Sequence, residues 1–589
     1  VWALGTVLYE MATGARPFQG QTGFELSSAI MNRPPAPLSG KVPIELKALI
    51  ERCLEKEPQR RYQRGGELRA ALEAVQTGAV SPWEGWRYRL ARRRWLALAA
   101  TGLLGLLVAA WVGWNVGGLR GRLVGVPPTP RIESLAVLPL ENLSGKAEQD
   151  YLAEGVHEAL ITDLANLSGL RRVIGRSSVL RYRKSEKPLA QIARELGVQG
   201  LITGSVLRSG DRVQVTAHLM NASTEEQIWG DRYERELRDV LALQNDIVTA
   251  ITRGIKLKLA SGEQQRLASA RAVNPEAYEA YLKGRFHVAK FTPEGFERGL
   301  AYLHQAVEKD PTNPLVYSQL ALTYSMIGHE TIPNAFSQAK AAARKALELD
   351  KNSAEAYEVL AEIKLYGDWD DWRGAEQNFR QSLALNPNLA MAHRNYSWYL
   401  NLMGQSEAGI AEMKRAVEVD PNVPLFHEDL GWQYWDLGQS DKAVEEARKA
   451  LEVDPNFPLA HLLLALVHAE KGLYTEAIAA AQKAAQGEPD LRWSLAFCYA
   501  RAGRKDQALH IVEEIKKQPS PWADWGLAEV YAVLGDREEA LRWLEQGFQD
   551  RFSLMPWLRL PDAGLERPFK PFRNDPRYQH LLRRMNLPQ

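Results

Sequence analysis

At Val1–Thr13 the positions Val1, Leu4, Leu8 and Met11 form one helical stripe, and Trp2, Val7 and Tyr9 make the other side apolar as well. This pattern predicts a helix buried on most of its circumference. Gly23–Asn32 reads as a short helix, and the proline-rich run Asn32–Leu38 as a rigid loop. Leu46, Leu49, Ile50, Cys53 and Leu54 then repeat at helical spacing behind Pro43, which suits a first helical position. Trp95–Trp114 contains no charged residue. At about 1.5 Å per residue it is long enough for a hydrocarbon core of roughly 30 Å, and Trp95, Trp111 and Trp114 stand near its ends, where interfacial tryptophan is favoured.

The period changes after the Gly/Pro-rich stretch 121–130. Ser134–Leu140 suits a short buried strand. Asp150–Leu167 reads as a helix, with Leu152, Val156, Leu160, Ile161, Leu164 and Leu167 on one face. A strand at Arg172–Gly175, a helix marked by Leu189, Ile192, Ala193 and Leu196, and a strand at Gly200–Leu207 follow. Ser209-Gly210-Asp211 is a hairpin turn into Val213–Leu219, where Val213, Val215, Ala217 and Leu219 alternate with polar residues. Val240, Leu243, Ile247, Val248 and Ile251 mark a closing helix, and the order βαβαββα predicts an α/β layer.

From about Pro275 the chain repeats itself, with Pro387, Pro421, Pro455 and Pro489 each 34 residues apart. A period of this length is that of helix-pair solenoids. In Pro424–Pro455, Leu430, Gly431 and Tyr434 fall in a first helix, Gly438 at the turn, and Ala443 and Ala450 in a second. The small residues allow the two helices to approach closely. About seven or eight repeats are expected.

Overall charge adds little: the 589 residues carry a net charge of +1, which argues against a nucleic-acid partner. Its local distribution says more. Arg87, Arg89, Arg92, Arg93 and Arg94 precede the apolar stretch, against Arg120 and Arg122 after it, so the positive-inside rule puts the N-terminal side in the cytoplasm. Cys53 and Cys498 would then face opposite compartments, leaving no disulfide framework.

Three stretches resemble known families. VWALGTVLYEMATGARPF and CLEKEPQRRY resemble the part of a serine/threonine protein kinase domain that follows the activation segment. The residues carrying the likeness are Trp2, Gly5, Gly14, Pro17, Phe18 and Arg61. In such kinases the arginine matching Arg61 pairs with the Glu of an Ala-Pro-Glu motif, which this chain lacks. Phosphoryl transfer also needs a Gly-rich loop, a Val-Ala-Ile-Lys lysine, a His-Arg-Asp aspartate and an Asp-Phe-Gly aspartate. None occurs here in kinase context, so the chain itself is expected to be catalytically incompetent, with no cofactor. The likeness and the Val1 start imply a fragment of a longer parent that binds ATP and Mg.

LAVLPLENLSG, YLAEGVHEALITDLANL, VIGRSSVLRYR and WGDRYER resemble the TolB amino-terminal-like domain, which implies an extracytoplasmic interaction or sensing module. The 34-residue units resemble tetratricopeptide (TPR) repeats. The expected fold is multidomain and mostly α, with one α/β domain. Residues 1–75 form the kinase remnant, 76–94 a basic juxtamembrane segment, 95–117 a transmembrane helix and 118–130 a linker. Residues 131–258 form the TolB-like domain, 272–555 the TPR repeats and 556–589 a C-terminal cap. The expected setting is the inner membrane, with a single span, the N-terminal part cytoplasmic and the C-terminal part periplasmic. The expected role is that of a truncated bacterial receptor-type kinase; the alternative is a non-enzymatic membrane-anchored TPR scaffold.

Candidate chemistry is sparse. His157-Glu158 lacks the second histidine of a zinc motif, since Ile161 stands in its place. His393, His427 and His461 recur at one repeat position. Packed helices lie about 8–10 Å apart, too far for zinc–nitrogen bonds of about 2 Å to share one ion, so no metal site is expected. In TPR proteins certain first-helix positions face the groove. Mapped by repeat register, these include Arg394, Trp398, Glu428, Trp432, Trp435, Trp493 and Trp525. They are candidates either to anchor a peptide partner, with Trp432 and Trp435 sharing a face, or simply to pack between repeats.

Overall fold

The computed structural model describes residues 1–19, 29–30, 34–38, 42–55, 57–76, 132–268, 272–328, 334–369, 371–518, 520–560 and 564–587. Two compact units divide the chain, Val1–Thr129 and Pro130–Gln589.

In the first unit, helix Trp2–Thr13 ends on Gly14, whose φ of 71° lets its N–H return to the Glu10 carbonyl. It crosses helix Ile44–Cys53 at Gly5, where an added Cβ would lie 2.6 Å from the Cys53 Cβ. Trp2 stacks on Phe18 at 5.8 Å, and the Tyr9 hydroxyl donates to the Ala36 carbonyl at 2.9 Å. These contacts tie the Gly14–Phe18 turn and the proline loop to the helix, around a small core of Tyr9, Phe18, Leu38, Ile50 and Leu54. The helix is not buried all round as its pattern predicts: Leu4, Val7 and Met11 are 45%, 50% and 79% exposed. Arg61 donates to the Glu55 carbonyl at 2.7 Å.

The expected helix 23–32 falls mostly, and the basic segment 76–94 almost wholly, outside the described residues. The apolar stretch 95–117 and the linker 118–130 lie wholly outside them. Among the described residues no helix is long and apolar enough to cross a membrane. The single-pass inner-membrane placement, and the two-sided topology drawn from it, are therefore not supported.

The second unit begins with a mixed sheet of β1 (Ser134–Val137), β2 (Glu141–Asn142), β3 (Arg172–Val173), β4 (Gly200–Ser209), β5 (Arg212–Asn221) and β6 (Gln227–Glu236). The main order is β3-β1-β4-β5-β6, with β2 beside β4. β1 runs parallel to β3 and β4, and β4, β5 and β6 form an antiparallel meander. Helices Asp150–Ala165 and Val240–Gly254 cover the sheet, with Val156, Leu160, Leu164, Leu243, Ile247 and Ile251 fully buried. Val213, Val215, Ala217 and Leu219 point into this core, as the alternation along β5 predicts. β6 was not legible in the pattern. Its charged run Gly230–Glu236 is nearly all exposed; the strand is held by pairing with β5 and by half-buried Trp229 and Tyr233, which pack against the core.

Eight helix pairs follow among the described residues, from Pro275–Val288 with Pro293–Lys309 to Pro521–Leu534 with Arg537–Gln549. Within a pair, Gly438 turns the chain at a φ of 72°, and Gly404, Gly472, Gly503 and Gly535 do the same in their own pairs. Fully buried Ala443, Ala447 and Ala450 line the inner side of one second helix. His393, His427 and His461 each bond the carbonyl of the proline six residues earlier, at 3.0, 3.1 and 3.1 Å. The repeated histidine thus secures the turn between pairs.

The sheet layer is joined to the solenoid at two places distant in sequence. Near the start, Arg208 donates to Tyr151 at 2.7 Å and to Glu279 at 3.0 Å, and Gln244 donates to Tyr278 at 3.0 Å. Further along, the Gly175 N–H donates to the Val419 carbonyl at 2.8 Å. Asp420 accepts from the Ser178 N–H at 2.7 Å and from its hydroxyl, while Asn388 accepts from the Val173 N–H at 3.2 Å. The fit is close, since a Cβ on Gly175 would lie 2.4 Å from an Asp420 carboxylate oxygen.

Candidate binding site on the concave face

The first helices of successive pairs present equivalent residues to one another, and polar groups link them at about one repeat. Asn401 donates to Asp436 at 2.9 Å and Asn395 to Glu358 at 2.7 Å. Arg394 pairs with Asp429, Ser325 with Glu362 and Trp435 with Glu470. Burial pushes the Glu358 and Glu428 carboxyls well above the usual carboxylate range, and each has a carboxyl neighbour, Glu362 and Asp429, that adds to the rise. The bond from Asn395 and that from the Trp432 indole to Glu428 oppose it. Asp436 rises to about 7, chiefly through burial, while Asn401 and Arg567 favour its charged form.

The C-terminal segment does not simply cap the last pair. It folds back over these helices as the turns Met555–Arg559 and Gly564–Phe572 and the helix Pro576–Arg584. Trp557 lies 5.9 Å from the Tyr366 ring and 5.8 Å from that of Trp398. Arg567 donates to the Trp435 carbonyl at 2.6 Å, pairs with Glu470, and holds its guanidinium 5.3 Å over the Trp435 ring. Phe552 and Phe569 each meet Trp525 at 5.7 Å, and the Trp372 indole donates to the Met585 carbonyl at 3.3 Å. The reason is amphipathic chemistry: aromatic and proline residues in 555–572 supply apolar area to a face already lined by indoles.

The structure therefore places the seven candidate groove residues as follows. Trp432 and Trp435 do share a face, with rings 5.2 Å apart, but they are only 9% and 3% exposed. Trp435 lies under Arg567, and Trp432 is bonded to Glu428. Arg394 is spent on Asp429. Trp398 and Trp525 meet the returning segment, and Trp493 is fully buried against Gly526. Of the two readings left open by repeat register, anchoring a peptide or packing between repeats, the tryptophans are seen packed among the repeats and against the chain's own C-terminal segment. Sequence reasoning missed Asp429, Asp436, Glu470, Glu529 and Arg567. The first four share first-helix faces with the tryptophans, so repeat register could have found them. Arg567 carries no repeat signal.

Comparison with known proteins agrees with this division. Residues 1–65 match the family described as protein tyrosine and serine/threonine kinase. Residues 428–492 and 521–546 match tetratricopeptide repeat families. "Serine/threonine-protein kinase PknA" of Mycobacterium tuberculosis is 38% identical over 82 residues, 14% of this chain and 19% of that one. "Putative adenylate cyclase 3" of Rhizobium meliloti is 33% identical over 239 residues, 40% of each chain. The chain thus spans 40% or less of the length of these two relatives. Among solved structures, a thermophilic TPR protein of Thermus thermophilus is 21% identical, covering 30% of this chain and 92% of its own, with a TM-score of 0.27. The protein is serine/threonine-kinase-like in its first stretch and carries TPR repeats in its second unit.

Proposed function

We propose that this chain is the non-catalytic part of a bacterial serine/threonine protein kinase and that its second unit is a polypeptide-binding module. The observation that carries this reading is the returning C-terminal segment, a polypeptide seated on the concave face through Trp557, Arg567 and Phe569. On this reading the segment occupies the place a partner takes. ATP and Mg belong to the parent kinase, since the residues that handle them are not in this sequence. The α/β layer serves as a TolB-like interaction layer, held rigidly to the repeats by Asp420 and Asn388. The match to a protein named for a cyclase supports a portable module: its 239 residues exceed the 129 of the first unit.

The test is a chain ending at Asp550, titrated with a synthetic peptide of residues 552–587 and followed by tryptophan fluorescence. Saturable binding of this peptide, and none of a scrambled one, is expected. Equal binding of both would overturn the reading. In a separate assay with ATP and Mg, phosphoryl transfer by the full chain should not exceed that of a mock preparation.

A further inference from the structure

The returning segment leaves one part of the concave face unfilled. A cavity of about 310 Å³ remains between helices Pro424–Asp436, Pro458–Glu470, Trp493–Arg501 and Pro521–Leu534 and the turn Gly564–Phe572, a size that admits a small organic ligand. Trp435, Leu466, Phe497 and Pro571 give it apolar walls, and Glu529 lines it as well. Glu529 is 0% exposed, and neither of its carboxyl oxygens meets a partner in full hydrogen-bond geometry, although the Trp525 indole, one turn earlier on the same helix, is a donor beside it. Its counterparts on the same face are answered: Glu358 by Asn395, Asp429 by Arg394 and Asp436 by Asn401. Glu529, Ala532 and Val533 all line the cavity at helical spacing of three and four, so the glutamate stands on the cavity side of its helix.

We propose that this cavity binds a small organic ammonium ion, whose N–H groups donate to Glu529 while its carbon skeleton lies against Trp435, Leu466 and Phe497. Leaving a buried carboxyl unanswered is costly, and an ammonium supplies both the missing donors and the missing charge. Three other charged residues line the cavity, namely Glu470, Arg501 and Arg567. Arg567 is paired with Glu470, and Arg501 is exposed, where solvent and salt screen it. A cation therefore meets Glu529 as its principal partner. Burial pushes the Glu529 carboxyl well above the usual range, and the neighbouring Trp525 only partly opposes this. Because Gly564, Arg567, Pro568 and Pro571 form one wall, a bound amine also fastens the C-terminal segment in place. The inference goes beyond the polypeptide reading and stands whether or not another chain ever takes the segment's place.

The test is calorimetric titration of the full chain with 2-phenylethylammonium and with the neutral 2-phenylethanol. The amine should bind saturably, and at least about tenfold more tightly than the alcohol. Glu529→Gln should melt no lower than the parent and lose at least about tenfold in amine affinity. Val533→Phe fills the cavity while keeping the carboxylate and should also abolish binding. Absence of saturable amine binding, equal affinity for the alcohol, or undiminished affinity in either variant would overturn the proposal.

Discussion

The two units are built from similar helices and differ in how those helices are covered. In the first unit, helix Trp2–Thr13 is apolar on both sides, yet its described neighbours cover only the side bearing Gly5 and Tyr9. In the second, each helix pair is covered by the next pair, and the concave side by the C-terminal segment, so one core runs from Ala361 to Met585. A repeat makes coverage automatic, because every unit brings the surface its neighbour needs. The first helix has no such repeat beside it, and among the described residues Leu4, Val7 and Met11 stay exposed.

The largest expected effect lies where coverage is complete. Trp493 is fully buried and touches Gly526, so Trp493→Ala should cost the second unit about 3–5 kcal/mol. Denaturant unfolding of the full chain, followed by the second unit's signal, checks this; a loss below about 1 kcal/mol would break the contrast. A smaller loss is expected at the crossing in the first unit. Gly5→Ala puts a methyl 2.6 Å from the Cys53 Cβ and should cost about 1–3 kcal/mol, read as earlier unfolding of that unit alone.

Asp420→Ala tests whether the sheet layer and the solenoid form one body. It removes the acceptor of the Ser178 N–H and should cost about 1–3 kcal/mol. Hydrogen exchange should rise at Gly175–Ser178 and stay unchanged in the first unit. The pH dependence is subtler. Asp436 has a folded-state value raised to about 7 from 3.8, so its contribution to stability is fully present below about pH 4 and is lost as the pH rises through 7. Asp436→Asn should flatten that part of the melting profile of the second unit, and an unchanged slope would show that other groups govern it. The least effect on stability belongs to the exposed face of the first helix. Met11→Lys should change stability by no more than about 0.5 kcal/mol, yet reduce concentration-dependent association seen by light scattering.

Local signals carried much of the architecture. Val213–Leu219 alternates with period two and is a strand with its apolar side inward. Gly14 and Gly438 stand where a left-handed turn is needed, and both have positive φ. β6 escaped because only Trp229 and Tyr233 of its residues reach the core, too sparse an apolar pattern among its charges, and the rest of its hold is hydrogen bonding to β5. The candidate site was legible as a row of indoles at repeat spacing. Its covering was not, since Trp557, Arg567 and Phe569 obey no repeat and reach their partners across long loops of chain.

By itself, then, the sequence determined the helix pairs, their 34-residue period and the sheet's central strands, because these depend on spacing along the chain. Tertiary structure alone decided what each repeated residue is for. Asn386, Asp420 and Asp454 hold the same register position. Asn386 and Asp454 accept from the N–H of Asn388 and Asn456, two residues on, while Asp420 accepts from Ser178 of the sheet layer. Spacing cannot make that choice. It is made by which turn faces the sheet once the solenoid has curved.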